Sequence, residues 1–85
     1  MEKVILYQDN NIEIYLTGRD YDFIAVVDNF SEKEIKIKIK DDNVEYIFED
    51  FTVKPCDWVG ILADNEGYSF VEAVEQNNLE VEPLT

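Results

Sequence analysis

The 85 residues of this chain are too few for a second domain or a deep substrate cavity, so residues 1–85 are expected to fold as a single small domain. The 20 acidic and 7 basic residues give a formal net charge of −13, which disfavours direct contact with nucleic acids and anionic membranes. The aromatic share of 13% excludes a disordered acidic tail, because such tails are poor in aromatics.

The N-terminal segment has the period-two alternation that is typical of a β-hairpin. A two-residue turn at Asn10-Asn11 is predicted to join a strand at residues 4–7 to a strand at residues 12–17. Two apolar pairs are then expected to share one buried face, Tyr7 with Ile14 and Ile5 with Leu16.

The next segment, residues 23–27, is apolar at every position and follows a turn at residues 18–20. A strand of this kind is covered on both faces, so we predict that it lies centrally in its sheet. Residues 28–32 are predicted to form a turn or a short loop.

The alternation is clearest at residues 34–40, where the isoleucines face one way and the lysines the other. A turn at residues 41–42 is predicted to fold residues 44–48 back onto this strand. The expected cross-strand pairs are Ile39 with Val44, Ile37 with Tyr46, Ile35 with Phe48 and, on the outer face, Lys38 with Glu45. We interpret the lysine face as a solvated surface; the alternative is an edge that pairs with another chain.

The segment after residue 50 is less regular. Residues 51–53 are expected to be extended, and Pro55 to end that extended segment. The apolar residues 57–64 fit a buried strand or a short helix, and we favour a strand or an irregular turn. Trp58 within them is interpreted as a core residue, with an exposed interface anchor as the alternative.

The C-terminal part carries a helix signal. Ser69 and Glu72 have the spacing of a capping box, which predicts a helix over residues 70–76. The alternation over residues 79–82 is compatible with a short last strand. Together the elements predict an α+β, mostly β domain, in which a bent antiparallel sheet of five or six strands, barrel- or sandwich-like, is covered by one C-terminal helix.

The residue types present exclude most enzyme chemistry. The chain has no histidine and one cysteine, Cys56, which rules out Ser-His-Asp and Cys-His catalysis, a disulfide within the chain and the usual zinc sites. Because Asp57 disfavours its thiolate, Cys56 is interpreted as a small, partly buried residue. Residues 64–67 depart from the calcium-loop pattern, since Gly67 comes too early. We predict no catalytic, cofactor-binding or metal-ligating residues, no cofactor, and a protein that is not an enzyme.

The N-terminus lacks the basic and long apolar regions of a signal peptide, and the apolar runs at residues 23–27 and 58–63 are too short to cross a bilayer. With a single cysteine, these features predict a cytoplasmic protein. We expect a monomer or a weak dimer.

The charge is unevenly distributed along the chain. Residues 55–85 contain seven acids and no base, whereas residues 33–54 hold five of the seven basic residues. We therefore expect an acidic surface in the C-terminal half to bind an unidentified protein that is basic or binds DNA. The predicted partner-binding residues are Arg19, Tyr21, Asp57, Trp58, Asp64, Glu66 and Tyr68. Two alternatives stay open, a nucleic-acid mimic that occupies a DNA-binding protein and a divalent-cation-binding module.

Residues 18–25 (GRDYDFIA) and 57–64 (DWVGILAD), with Gly67-Tyr68, resemble small uncharacterised proteins carried on conjugative transposons and related mobile elements of Gram-positive bacteria. The resemblance implies an accessory protein of a mobile element, without an activity or a residue role that transfers. Residues 11–39 also resemble part of the immunoglobulin-like sandwiches of bacterial surface lipoproteins. The missing leader and lipidation cysteine and the C-terminal helix signal depart from that second family.

Overall fold

A computed structural model describes residues 3–18 and 22–84 of the chain, which form seven strands and one helix. The elements, in chain order, are β1 (Val4–Gln8), β2 (Ile12–Leu16), β3 (Phe23–Asn29), β4 (Ile35–Ile39), β5 (Phe51–Val53), β6 (Asp57–Leu62), α1 (Asn65–Glu75) and β7 (Leu79–Pro83). The strands pair in two antiparallel sheets, one of four strands in the order β1-β2-β3-β6 and one of three in the order β5-β4-β7.

The predicted fold class is confirmed in part. The described residues are mostly β, all strand pairs are antiparallel, and a helix lies near the C-terminus. The described residues form seven strands in two sheets that do not close into a barrel, instead of the predicted barrel- or sandwich-like sheet of five or six strands. The division begins after β3, where β6 rather than β4 takes the place beside β3.

One hydrophobic core joins both sheets and the helix. Its buried members are Ile12, Ile14, Ala25, Val27, Ile35, Ile37, Val53, Phe70, Val71, Ala73, Val74 and Leu79. The prediction that residues 23–27 lie centrally is confirmed, because β3 is bonded to β2 on one side and β6 on the other. Burying this many aliphatic side chains supplies most of the stability of so small a domain.

The N-terminal hairpin forms, but its register is only half as predicted. Tyr7 lies opposite Ile14, whereas Ile5 lies opposite Tyr15 rather than Leu16. A β-bulge between Ile5 and Tyr7 shifts the register by one residue, so that Ile5 leaves the core face and is 45% exposed.

The predicted pairing of residues 34–40 with residues 44–48 is wrong. Residues 44–48 form no strand; β4 pairs instead with β5 and β7, with Ile35 opposite Val53 and Ile37 opposite Phe51. β4 is therefore the central strand of its sheet and not an edge. The isoleucines still face the core, as predicted. Alternation fixes which face a strand buries but not which strand lies beside it.

The predicted ion pair of Lys38 with Glu45 is also replaced. The Lys38 ammonium nitrogen lies 3.1 Å from a carboxylate oxygen of Glu82 and 3.7 Å from one of Glu80, both on β7. The hydrogen bond that Lys38 donates to Glu82, together with the charge of Glu80, raises the pKa of Lys38. Two acidic residues of the C-terminal half are thus paired with a lysine of β4.

Helix α1 begins five residues before the predicted start. Its N-cap is Asp64, whose Oδ1 accepts a hydrogen bond from the backbone N–H of Gly67 at 2.9 Å. The Ser69 capping box does not form, because Ser69 lies inside the helix, and its hydroxyl accepts instead from the backbone N–H of Ile47 at 3.1 Å. At the other end Asn77 adopts a positive φ of 56°, and the N–H groups of residues 77 and 78 bond back to carbonyls of the last turn. The predicted end of the helix at residues 77–78 is confirmed.

A hydrogen-bonded pair fixes the first turn. The Tyr7 hydroxyl donates to an Asp9 carboxylate oxygen at 2.7 Å, and the other oxygen accepts from the N–H groups of Asn11 and Ile12 at 2.7 and 2.9 Å. Burial, and then the Asp9 hydrogen bond, raises the pKa of Tyr7 to about 12. Burial alone raises the pKa of Asp9, but the three hydrogen bonds outweigh it and hold that pKa below its ordinary value.

The raised pKa of Tyr7 predicts an alkaline loss of stability. The unfolded chain ionises this phenol at its ordinary pKa of 10.0 and the folded chain only at about 12, so the stabilisation is complete below pH 10 and is lost as the pH rises toward 12. A spectrophotometric titration should show a late-ionising tyrosine that disappears in Tyr7→Phe. Loss of an early-ionising tyrosine instead would contradict this assignment.

Candidate functional site

Among the residues predicted to bind a partner, those that the structure describes do not form one surface. Arg19 and Tyr21 lie outside the described residues. Asp57 and Trp58 begin β6, whereas the remaining three residues follow the far end of that strand: Asp64, Glu66 and Tyr68. A six-residue strand is about 20 Å long, so the predicted residues fall into two separate regions.

An acidic groove of about 600 Å³ lies at the end of β6 that leads into the helix. Its lining comes from the loop before β5, from β5 and β6, and from the first turns of α1. The lining residues are Ile47, Phe48, Glu49, Asp50, Phe51, Gly60, Ile61, Leu62, Asp64, Glu66, Gly67 and Phe70. We call this feature the acidic groove.

The apolar side of the acidic groove is aromatic. Phe70 on α1 is 1% exposed, and its ring centroid lies 5.2 Å from that of Phe48 and 5.6 Å from that of Phe51. Phe48 and Phe51 are only partly buried and line the groove. The Ser69–Ile47 hydrogen bond holds the loop that carries Phe48 against the helix. The groove therefore has an ordered hydrophobic surface.

Its polar side is formed by four carboxylates, and none of the lining residues that the structure describes is basic. Asp64 and Glu66 belong to the predicted set, whereas Glu49 and Asp50 do not. Glu49 and Asp50 were not in the predicted partner-binding set, because residues 44–48 before them were expected to pair as a strand with residues 34–40. All four residues are exposed. Carboxylates of like charge at a groove create a local negative potential that favours a cationic ligand.

Strand edges border the same groove. β5 is at the end of the three-stranded sheet and β6 at the end of the four-stranded sheet. Within residues 3–18 and 22–84, no further strand pairs with either of these edges. Such edges offer backbone N–H and C=O groups to a ligand that lies along them.

Trp58 and Asp57 belong to a different surface, the outer face of the four-stranded sheet. The interpretation of Trp58 as a core residue is wrong, since it is 55% exposed. It lines a shallow hollow of about 410 Å³ together with Tyr15, Thr17, Gly18, Phe23, Val26 and Asp28, which we call the aromatic hollow. Tyr68 is 58% exposed on α1 and lines neither feature.

Cys56 is also placed differently from expectation. It is exposed rather than partly buried, and its φ of 54° puts it at the tip of the turn that joins β5 to β6. Its thiol lies 3.4 Å from the backbone oxygen of Ser31, and its backbone N–H donates to that same oxygen at 3.0 Å. Its neighbour Pro55 fixes the first corner of the turn, so the positive φ falls on Cys56.

The described part of the chain contains no group of three or more His, Cys, Asp or Glu side chains arranged to hold a metal ion. The helix it contains is too short and too polar to cross a bilayer. No family model, curated protein or solved structure matches this chain. The resemblance to proteins of mobile elements therefore stays a prediction.

Proposed function

We propose that this chain is a non-catalytic binding protein whose acidic groove takes a basic, partly apolar segment of a partner protein. The observation that carries the proposal is the combination in one groove of partly exposed phenylalanine rings with four carboxylates and, among the described residues, no base. Apolar side chains of the segment pack on Phe48 and Phe51, and its lysines or arginines lie beside the carboxylates.

Charge and surface geometry both support this assignment. The net charge of −13 attracts a basic partner over a distance of several ångströms and speeds encounter at low salt. The apolar rings then supply contact area that salt does not screen. Binding is thus expected to weaken with salt but not to vanish.

The test uses the intact protein and a blocked probe peptide in which lysines flank a leucine. Calorimetry should detect binding that weakens as salt is added. The double variant Glu49→Gln, Asp50→Asn should bind the peptide about tenfold more weakly, because two exposed charge pairs of about 0.7 kcal/mol each are lost.

A matched control separates the groove from overall charge. The double variant Asp42→Asn, Glu45→Gln removes the same two residue types from exposed positions that do not line the groove. It should bind the peptide within about twofold of the unchanged protein. Equal losses in the two double variants would mean that only net charge matters, and would refute the groove as the binding site.

A further inference from the structure

The aromatic hollow is a second surface whose construction points to a specific ligand group. Its floor is Val26, which lies opposite Tyr15 on β2 and opposite Gly60 on β6. Because Gly60 has no side chain, the Phe23 ring occupies the space beside it; a Cβ on Gly60 would lie 2.6 Å from that ring. A register shift between Phe23 and Ala25 accompanies this placement of the ring on the outer face.

Three aromatic rings surround this floor. The Trp58 and Phe23 ring centroids are 6.1 Å apart, in an edge-to-face arrangement, and Tyr15 stands on the opposite side of Val26. Edge-to-face packing fixes the indole orientation while leaving Trp58 more than half exposed. The hollow therefore presents ordered aromatic surface to a ligand.

Carboxylates form a row next to the rings. Asp28 lies opposite Glu13 on one side and opposite Trp58 on the other. Glu13 is already paired, since the Lys3 ammonium nitrogen lies 3.0 Å from its Oε1 and 4.6 Å from the Tyr15 ring centroid. In residues 3–18 and 22–84, no side chain donates a hydrogen bond to the Asp28 carboxylate. On this face the Lys3 ammonium group thus lies between the Tyr15 ring and the Glu13 carboxylate. Trp58 and Asp28 form a second pair of an aromatic ring and a carboxylate.

We propose that the aromatic hollow binds an arginine side chain presented by a basic protein segment. A planar guanidinium stacks on aromatic rings and donates two parallel hydrogen bonds to one carboxylate, whereas the more strongly hydrated ammonium of lysine does neither as well. A second copy of this chain is disfavoured as the occupant, because each copy carries a charge of −13. The site lies apart from the acidic groove and does not depend on it.

Trp58 is the only tryptophan, so its emission reports on the aromatic hollow alone. The experiment titrates the intact protein with a short blocked peptide of alternating arginine and glycine, and with the same peptide carrying lysine at each arginine position. The arginine peptide should shift the Trp58 emission and bind about fivefold more tightly than the lysine peptide.

Asp28→Asn should weaken binding of the arginine peptide about fivefold and reduce its preference over lysine, because the bidentate acceptor is lost. The control Asp42→Asn removes the same charge from an exposed loop and should leave the affinity unchanged. Equal affinity for the two peptides, or equal effects of Asp28→Asn and Asp42→Asn, would overturn the proposal. Weakening by Glu49→Gln, Asp50→Asn but not by Asp28→Asn would place the peptide in the acidic groove and equally overturn it.

Discussion

Replacing Gly67 by alanine is expected to lower the free energy of unfolding by about 3 kcal/mol, even though alanine favours helices. A Cβ at this position would lie 1.8 Å from the backbone oxygen of Leu62. No side-chain rotation relieves that contact, so the start of α1 must move away from β6. The gain in helix propensity of about 1 kcal/mol is smaller than this cost.

Thermal unfolding is the simplest measurement, and Tm should fall by more than about 10 °C for a domain of this size. Glu75→Ala is the control, since residue 75 is exposed on the same helix and its change should stay within about 0.5 kcal/mol. A Gly67→Ala protein as stable as the unchanged protein would show that α1 does not pack this closely on β6. The acidic groove would then have a different shape at Asp64 and Glu66.

Replacing Asn29 by alanine is expected to cost about 3 kcal/mol, because a buried polar network loses its centre. Asn29 is fully buried at the end of β3. Its side-chain nitrogen donates to the backbone oxygens of Lys33, Val53 and Lys54 at 2.7, 3.1 and 3.1 Å. Its side-chain oxygen accepts from the backbone N–H and the hydroxyl of Ser31 at 3.0 and 2.7 Å.

Urea unfolding of Asn29→Ala should show a lower midpoint, whereas Asn43→Ala, in an exposed loop, should unfold near the unchanged midpoint. Asn29→Asp keeps the shape of the side chain but places a carboxylate oxygen where the nitrogen donates. It should be at least as destabilising as alanine at neutral pH. An unchanged midpoint in both Asn29 variants would mean that the turns after β3 and β5 are held by other contacts.

The faces of the strands could be predicted because alternation is a local property. Ile35 and Ile37 are buried as their spacing from the intervening lysines required, and Ile12 and Ile14 are buried for the same reason. The strand at residues 57–62 agrees with the favoured interpretation of this segment, although its apolar content alone left a short helix open.

Strand partners could not be predicted in the same way. Residues 44–48 carry apolar spacing that suits a strand beside β4, yet β5 and β7 take the two edges of β4. The apolar side chains of Tyr46 and Phe48 still pack against the core, from a loop. Pairing is decided by which complete arrangement buries most surface, and a sequence window does not contain that information.

For the acidic groove, the sequence supplied Asp64 and Glu66 but placed them in one set with Asp57 and Trp58. The two pairs lie at opposite ends of β6. Glu49 and Asp50 line the groove from a loop that was expected to follow the hairpin of residues 34–40 and 44–48. A charge count along the chain does not reveal such a grouping, because groove membership depends on contacts between distant segments.

The sequence by itself determined that this chain is a small, strongly acidic, mostly β domain without histidine, and which side of its clearest strands is buried. Only the tertiary structure decided that the strands divide into two sheets, that Trp58 is exposed, and that four carboxylates line one groove. The physical reason is that composition and alternation act over neighbouring residues, whereas sheet order and surface clustering follow from the packing of the whole chain.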